Sequence, residues 1–465
     1  AAAESCPPAV RTEPEGTLTA DLARFAAELR YEQLPAEVVD AAKRCLLDAI
    51  GCGLAGWETA KGRLAAASMQ ELGGSADATI WGRRAKLPSP AAAFVNAELM
   101  NALDYDAIPH IPPVTLPAIV AVAEQHRASG RDLIAAIVVA YEIAQRLSSA
   151  SSPMTAAIIE TGTTPEVFGI NNEAVMASAA ALARLGGADA ARIAQAIGLA
   201  GYYCPPQSSH DWETGSPKSN VKYTPMGPIN QAAVQAHLLA AAGYTGNPRV
   251  LDGPAGFARF YGWQKWNIEA VRRGLGSDWH ITRADYKPHA CCRYIHSRID
   301  ALKLVMDRDR IAPASITAIR SWGPPFVANP DQMNVRTQED AQFSVPYMLA
   351  LVAMGIPLDA RCQRPELLHS PEVRAMMQRV RWETHPRTAE TRRANPRSFL
   401  ASVEVEAAGR VHAGEIWYAR GAGAVPEMRM TDAEMDGKFL ANAAISLKPA
   451  AARRLLEGLR GIDRM

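Results

Sequence analysis

Two carboxylates and an imidazole lie close together in the sequence, in the order Asp104, Asp106 and His110. A carboxylate beside an imidazole is a pairing used in general acid–base catalysis, in which a side chain donates a proton to the substrate or removes one. Pro109 and Pro112 restrict the backbone on either side of His110, so the ring is carried on a stiff loop near the acids. The stretch predicts a proton-transfer site. An ordinary proline-rich connection with a solvated histidine is the alternative interpretation.

A helix must deliver this loop. Ser89 is a candidate N-cap, Pro90 suits the first helical position, and the apolar residues from Ala91 to Leu103 keep a helical spacing. The carboxylates then fall at the C-terminal end of the helix, where the dipole disfavours each negative charge by about 0.3–1 kcal/mol unless a cation compensates. We therefore expect cationic side chains near the two acids.

Two other stretches concentrate residues with reactive or charged side chains. One lies within ten residues at a predicted domain junction and comprises Lys287, His289, Cys291, Cys292, Arg293 and His296. Clefts between domains are favoured ligand sites, and these cations suit a substrate that carries carboxylates. The other is the long irregular segment 204–226, which includes Lys218 and Lys222. Loops of this length inside a domain are usually functional or disordered. Taken one at a time, each residue also fits an ordinary solvated or buried place.

The composition excludes several classes of protein. The 465 residues are 48% hydrophobic and 21% charged, with a net charge of +1, so no overall field favours nucleic acid or an anionic membrane. The longest apolar run, 133–141, is well short of the ~18 residues that span a bilayer, which predicts a buried helix and no membrane segment.

The seven cysteines are scattered and show no metal-ligand spacing, which predicts a reducing compartment, the cytoplasm, and no metal or iron–sulfur cluster. The first 16 residues have the composition of a disordered segment and begin without methionine. Export after cleavage of a signal peptide is the alternative localisation.

The periodicity predicts a mainly α fold with a smaller α+β domain. Helical spacing dominates 17–282 and returns in 421–465, which together predict a large all-helical domain built from both chain ends. Residues 283–420 predict an inserted α+β lid domain. Its predicted strands are 315–322, 380–383, 398–407 and 411–418, of which the last two form a hairpin. The predicted helices include 115–128, 131–149, 341–354 and a helical end over 431–459.

Three motifs in this order resemble the MmgE/PrpD family, which includes 2-methylcitrate dehydratase, cis-aconitate decarboxylase and iminodisuccinate epimerase. The family's elements are an Asp-aromatic-Asp-Asp motif with a later His and a Leu-Pro-Ala run, a Lys five residues before a Gly that opens a helix, and a Lys nine residues before a His. The matching residues are Asp104-Tyr105-Asp106-Ala107, His110 and Leu116-Pro117-Ala118, then Lys222 and Gly227, and then Lys287 and His296. The match covers nearly the whole chain after residue 17.

The resemblance implies chemistry without a cofactor, in a cleft between the larger helical domain and the smaller lid domain, and it implies a homodimer. We predict that His110 is the principal acid or base and that Asp104 is its partner or orienter. Lys222 and Lys287 are predicted to be the clamp for substrate carboxylates and electrostatic stabilisers. Asp106, Cys292, Arg293 and His296 are further candidate substrate contacts.

The chain departs from the decarboxylase-like members at four places. Ile108 stands where those members have Thr, the segment 165–167 replaces a His-Pro, and Pro225 and Cys292 each replace a His. The leading prediction is therefore a carbon–oxygen lyase of the hydratase or dehydratase type that acts on a small di- or tricarboxylate. An epimerase or isomerase comes next, then a decarboxylase. A non-catalytic family member that binds a small metabolite is the alternative from another class.

Overall fold

The computed structural model describes residues 16–151, 171–203, 209–252, 256–260, 266–325, 329, 331–395 and 397–465. The predicted disorder before residue 16, the departure at 165–167 and two of the cysteines, Cys6 and Cys204, lie outside the described residues.

The first part of the chain is helical apart from one short hairpin. Its α-helices are α1 Leu18–Glu28, α2 Ala36–Ala55, α3 Ala60–Gln70, α4 Ser89–Asn101, α5 Ile111–His126, α6 Gly130–Ala150, α7 Ala174–Leu185, α8 Ala190–Tyr203, α9 Ser209–Thr214, α10 Met226–Ala241, α11 Phe257–Phe260 and α12 Ile268–Arg272. Short 3₁₀ turns lie at Tyr31–Gln33, Gly56–Glu58 and His280–Arg283. Strands β1 Ala78–Thr79 and β2 Lys86–Leu87 pair antiparallel.

The second part combines helices with a four-stranded sheet. Its α-helices are α13 Arg293–Asp309, α14 Gln338–Gln342, α15 Val345–Ala353, α16 Pro365–Leu368, α17 Pro371–Met377, α18 Thr388–Ala394, α19 Asp432–Ala443 and α20 Pro449–Arg460. The strands are β3 Ile316–Gly323, β4 Val380–Thr384, β5 Ala401–Ala407 and β6 Arg410–Ile416, in the order β4-β3-β5-β6. Further 3₁₀ turns are Pro313–Ser315, Pro426–Met428 and Ile462–Arg464.

The sheet agrees with the predicted strands. β3 pairs parallel with β4 and antiparallel with β5, and β5 and β6 form the predicted hairpin. Ala408 and Gly409 connect β5 to β6 with φ angles of 50° and 73°, as a tight two-residue hairpin turn requires. The prediction of a mainly α fold with a smaller α+β part is confirmed.

The helix that carries the site is the centre of the helical part. α4 packs against α2, α3, α5 and α10, and its residues are buried on nearly every side. A helix that is apolar all round fits only such an interior place. α10 approaches closely because its second residue is Gly227, where a Cβ would lie 2.8 Å from the ring of Phe94. The Gly in the second motif therefore serves the packing that brings Lys222 to the end of α4.

Three predicted helices have different limits in the structure. The helix predicted from residue 115 begins at Ile111, because two prolines occupy its first turn, where their missing N–H groups cost nothing. The helix predicted over 341–354 is interrupted, and Ser344 caps α15 by accepting a hydrogen bond from the N–H of Tyr347. The helical end predicted over 431–459 is two helices, α19 and α20.

The C-terminal helices return to the helical part of the molecule, since α19 and α20 both pack against α2. The buried ammonium group of Lys438 in α19 lies 2.6 Å from Asp48 Oδ1 in α2. The two ends of the chain therefore share one core. The domain limits 17–282, 283–420 and 421–465 stay a prediction.

α6 is long and apolar enough to cross a membrane by length and composition, and 83% of its most apolar window is buried inside the protein. It also carries two buried charged side chains, Glu142 and Arg146. These features fit the core helix predicted for 133–141.

We expect Glu142 to make stability depend on pH. Its carboxylate accepts the N–H of Ile281 and lies 3.6 Å from Arg146, but burial outweighs both and raises its pKa to about 7. The pKa of a glutamate in the unfolded chain is about 4.3, so the folded protein holds this proton more tightly than the unfolded chain does. The contribution of Glu142 to the free energy of unfolding is therefore fully present below about pH 4.3 and is lost as the pH rises towards 7. We expect the free energy of unfolding of the native chain, measured in urea, to fall by about 3 kcal/mol between pH 4.5 and 7 because of Glu142. In Glu142→Gln this decrease should be absent.

The exposed Glu269 provides the matched control, because Glu269→Gln should leave the pH dependence as in the native chain. An unchanged slope for Glu142→Gln would contradict the assignment.

Candidate active site

The backbone after α4 adopts an unusual conformation at the predicted site. Asp104 has a φ of 52°, and Lys222, which contacts it, has a φ of 58°. The left-handed region costs a residue other than glycine about 1–2 kcal/mol, and Asp tolerates it better than Lys does. Two contacting residues in this region indicate a local structure that the surrounding fold imposes, as is common at functional sites.

Asp104 lies between two lysines from distant parts of the chain. Lys222 Nζ is 3.1 Å from Asp104 Oδ1, and Lys287 Nζ is 2.8 Å from Asp104 Oδ2. All three side chains are buried, with exposed fractions of 0 or 1%. The cations expected from the helix dipole are therefore present, and both are paired with the same carboxylate.

The pKa values follow from this arrangement. Burial would raise the pKa of Asp104, but Lys222 and Lys287 hold it well below its usual range. Burial lowers the pKa of Lys222, whereas for Lys287 the nearby carboxylates outweigh burial and raise the pKa. The nearby ammonium groups of Lys61 and Lys287 also lower the pKa of Lys222, whereas Asp104 and Asp106 both favour the charged form of Lys287.

Five consecutive carbonyls at the end of α4, those of residues 101–105, accept hydrogen bonds from side chains. The donors, in chain order of the carbonyls, are Lys222, Gln342, Gln363, Lys287 and Lys438, at 2.7–2.9 Å. A helix end leaves such carbonyls without backbone partners. The donors come from the helical part and from the α+β part, so both parts fix the loop that carries the site.

His110 is held by Asp106 on one side and Tyr223 on the other. Its Nδ1 is 2.5 Å from Asp106 Oδ2, and its Nε2 is 2.8 Å from the hydroxyl of Tyr223. The same hydroxyl donates to Asp104 Oδ1 at 3.0 Å. Asn101 Nδ2 donates to Asp106 Oδ1 at 3.0 Å. Burial would raise the pKa of Asp106, but the adjacent imidazole and Lys287 hold it below its usual range.

His110 is also the most accessible member of this cluster. Its side chain is 14% exposed, whereas those of Asp104, Asp106, Lys222 and Lys287 are 0 or 1% exposed. A substrate can therefore reach the imidazole without displacing the buried ion pairs.

An aromatic group lines the Tyr223 side of the site. The rings of Trp212 and Phe343 lie 5.7 and 6.1 Å from the Tyr223 ring, in edge-to-face contact. The backbone N–H of Lys218 donates to Asp340 Oδ1, which ties this segment to α14. The irregular segment predicted over 204–226 is thus partly helical, through α9, and is anchored to the α+β part.

Two further predicted residues, Arg293 and His296, form hydrogen bonds away from the His110 cluster. Arg293 pairs with Asp285 at 3.2 Å and donates to the carbonyl of Arg420. His296 is buried against the carbonyl of Cys291, and its pKa is well below the usual range because of burial and the nearby Arg293. The substrate contacts predicted for Arg293 and His296 therefore find no support in their hydrogen bonds.

Cys292 precedes α13, and its backbone N–H donates to the carbonyl of Gln342. Burial raises the pKa of its thiol to about 12, so the thiol is neutral. A thiol in this state does not act as a base at neutral pH, and the substrate contact predicted for Cys292 stays a prediction.

The ligand atoms of Asp104, Asp106 and His110 lie within 4.8 Å of one another, a spacing that a metal ion could bridge. Two ammonium groups already contact Asp104, one on each carboxylate oxygen. A divalent cation would meet their repulsion at close range and would have to displace them. The two ammonium groups on Asp104 therefore favour a site that works without metal.

We expect activity to survive metal removal. Dialysis against a strong chelator should leave turnover within the error of the untreated enzyme. Loss of activity that a divalent ion restores would overturn this assignment, and elemental analysis before and after dialysis checks that any metal was removed.

Comparison with known proteins identifies the relatives of this chain. Residues 20–269 match the MmgE/PrpD N-terminal domain, and residues 289–463 match the MmgE/PrpD C-terminal domain. The chain belongs to the MmgE/PrpD family. The resemblance drawn from the three motifs is confirmed.

Relatives within the MmgE/PrpD family have cis-aconitate decarboxylase names. The chain is 30% identical over 359 residues to the cis-aconitate decarboxylase-like protein oryM of Aspergillus oryzae, covering 69% of this chain and 72% of that protein. It is 24% identical over 399 residues to the cis-aconitate decarboxylase of Homo sapiens, covering 80% and 77%. The Aspergillus terreus decarboxylase is 26% identical over 308 residues, covering 63% and 60%.

In this MmgE/PrpD member, the two carboxylates take different places around His110. Asp104 was predicted to be the partner or orienter of His110. Asp106 contacts the ring directly, and Asp104 is joined to it through Tyr223, so any orienting effect of Asp104 on the ring is indirect. The two oxygens of Asp106 bond His110 and Asn101, and the substrate contact predicted for Asp106 stays a prediction. The left-handed turn at Asp104 directs that carboxylate towards the lysines, and sequence periodicity does not reveal such a turn.

Sequence reasoning missed Tyr223, Asn101 and the three donors Gln342, Gln363 and Lys438. Tyr223 directly follows a predicted site residue, and Asn101 lies one helical turn before Asp104, so both had a local signal. The other three come from remote segments and gave none. The catalytic roles assigned to His110, Lys222 and Lys287 stay predictions.

Proposed function

We propose that this protein is a cofactor-independent lyase that acts on a small di- or tricarboxylate by moving a proton at a carbon next to a carboxylate. One observation carries the proposal. His110, bonded to an ionised carboxylate through Nδ1, is the accessible member of a cluster whose other members are buried. A positioned imidazole with a carboxylate partner is suited to proton transfer at carbon.

The charges around His110 support an anionic substrate. The carboxylates of Asp104 and Asp106 balance the ammonium groups of Lys222 and Lys287, so a protonated His110 adds one uncompensated positive charge. A substrate carboxylate would compensate it. We propose that the two lysines stabilise negative charge on the substrate through the field of the cluster, which is the electrostatic role predicted from the sequence. Their predicted role as a direct clamp stays a prediction.

Decarboxylation of an aconitate-like tricarboxylate is the first reaction to test, because the named relatives are cis-aconitate decarboxylases. In such a substrate, the bond to one carboxylate breaks and CO₂ leaves. The electron pair forms a new double bond, and the former double bond places electron density on a carbon that bears another carboxylate. A proton from His110 on that carbon completes the product.

Dehydration or hydration is the second candidate, and the observation that favours it is Cys292. The decarboxylase-like members have a histidine there, whereas this chain has a neutral buried thiol. A dehydratase would use His110 as the base that removes the proton before hydroxide leaves. Epimerisation of a dicarboxylate would share that first step and end with reprotonation.

The test incubates the protein with a panel of polycarboxylates in heavy water and follows each by proton NMR. The panel contains aconitate, hydroxylated tricarboxylates, a dicarboxylate and matched monocarboxylates. Decarboxylation releases CO₂ and places deuterium on one product carbon. Dehydration yields a new alkene proton, and epimerisation exchanges deuterium without changing the composition.

Turnover or exchange confined to substrates with two or more carboxylates supports the proposal. Exchange confined to neutral or monocarboxylate compounds would overturn it. Tight binding of a polycarboxylate in isothermal titration, with no product by mass spectrometry, would instead favour a non-catalytic binding protein.

A further inference from the structure

The hydroxyl of Tyr223 makes three close polar contacts but has only one hydrogen to donate. It lies 3.0 Å from Asp104 Oδ1, 2.8 Å from His110 Nε2 and 3.3 Å from Asn101 Nδ2. Asn101 supplies the hydrogen of its own contact. The phenol has a single hydrogen to offer to the other two contacts, those with Asp104 and His110. Burial and the two nearby carboxylates raise the pKa of Tyr223 well above its usual value, so that hydrogen stays on the phenol.

The number of hydrogens available for these contacts differs between neutral and protonated His110. Asp106 is an ionised acceptor, so Nδ1 of His110 carries a hydrogen in both forms. If His110 is neutral, Asp104 Oδ1 and Nε2 compete for one phenolic hydrogen, and one contact has none. If His110 is charged, Nε2–H donates to the phenol oxygen and the phenol donates to Asp104. Every contact then carries a hydrogen. In the neutral form, one contact would hold two acceptor atoms 2.8 or 3.0 Å apart with no hydrogen between them, even though Asp104 Oδ1 still accepts from Lys222.

We propose that Tyr223 is a positioning residue that links Nε2 of His110 to the carboxylate of Asp104, so that His110 enters the reaction as an acid. This inference rests on the proposed function and selects, within it, the reactions in which a substrate carbon receives a proton. These are decarboxylation and hydration, whereas dehydration and epimerisation first remove a proton from carbon.

Release of the proton to substrate is compatible with the same geometry. When a substrate carbon takes the place of the phenol oxygen at Nε2, Tyr223 keeps its donor Asn101 and its acceptor Asp104. The Nε2–H bond then breaks, the hydrogen forms the new C–H bond, and the electron pair stays on the ring as neutral His110. The next solvent proton restores the charged form.

Several charged groups face His110, and all bear on its pH dependence. Asp104 and Asp106 come from the loop after α4, Lys222 precedes α10, and Lys287 precedes α13. Tyr223→Phe leaves each of these charges in place and keeps the ring against Trp212 and Phe343. The variant therefore removes the hydroxyl and its hydrogen bonds, and keeps the charges and the ring packing.

The test compares native protein, Tyr223→Phe and the control Tyr347→Phe. The control also removes a buried hydroxyl, because that of Tyr347 donates to the carbonyl of Cys362, away from His110. We expect Tyr223→Phe to lower kcat by about tenfold to a hundredfold with KM nearly unchanged, and to move the alkaline limb of the pH profile down by about one unit. Tyr347→Phe should leave the limb in place.

A second readout needs no turnover. Nitrogen NMR of the histidine rings, with the His110 signal assigned by its loss in His110→Gln, gives the midpoint at which His110 loses its proton. A lower midpoint in Tyr223→Phe supports the link, and an unchanged midpoint overturns it even if kcat falls. If the native protein turns over no member of the panel, the proposed function fails, and the NMR midpoint still decides the role of Tyr223.

Discussion

His110→Gln is expected to lower kcat by about 10²- to 10⁴-fold while the fold and the affinity for a polycarboxylate change little. Gln can keep a hydrogen bond to Asp106, but an amide does not exchange protons with a carbon at useful rates. The measurement is kcat and KM on the best substrate of the panel, with isothermal titration for affinity.

His412→Gln is the matched control for this variant. His412 Nδ1 also contacts a carboxylate, that of Asp309 at 3.0 Å, but it does so at the surface of the sheet in β6. Its replacement should leave kcat unchanged. Near-normal turnover in His110→Gln would return the stretch around Asp104, Asp106 and His110 to its ordinary interpretation as a proline-rich connection.

Asp104→Asn is expected to cost about 3–5 kcal/mol of stability and to abolish most activity. Asn adopts the left-handed conformation of Asp104 readily, so the backbone turn should survive. Without the carboxylate, the ammonium groups of Lys222 and Lys287 remain buried with no counter-charge from this position, which is the costly way to break a buried ion pair. Urea unfolding at constant pH measures the loss.

Two comparisons sharpen this prediction. Asp278→Asn breaks an exposed pair with Arg283 and should cost at most about 1 kcal/mol. Adding Lys222→Met to Asp104→Asn should recover part of the lost stability, because one uncompensated charge is then removed. A double variant less stable than Asp104→Asn would show that charge pairing is not what Asp104 contributes.

The sequence determined the elements of the fold because their periodicity is local. The alternating runs that became β3 to β6 and the apolar run inside α6 lie where the pattern placed them. The three motifs likewise identified the family, since spacing within a motif survives without knowledge of the fold.

Helix limits near proline were less predictable. The start of α5 at Ile111 depends on prolines that are tolerated in a first turn but would break a helix interior. The same residues can therefore read as a loop or as a helix start, and packing of α5 against α4 decides between them.

The site divides in the same way. Sequence alone found Asp104, His110, Lys222 and Lys287, because chemically versatile side chains at family spacings stand out in the chain. Only the tertiary structure decided which groups touch: Asp106 rather than Asp104 holds His110, and Tyr223 joins the two halves of the cluster. The reason is physical. Long-range packing produces the left-handed turn, the hydrogen bonds from remote side chains to five carbonyls, and the contacts of the phenol hydroxyl. Such packing gives no periodic pattern in the sequence.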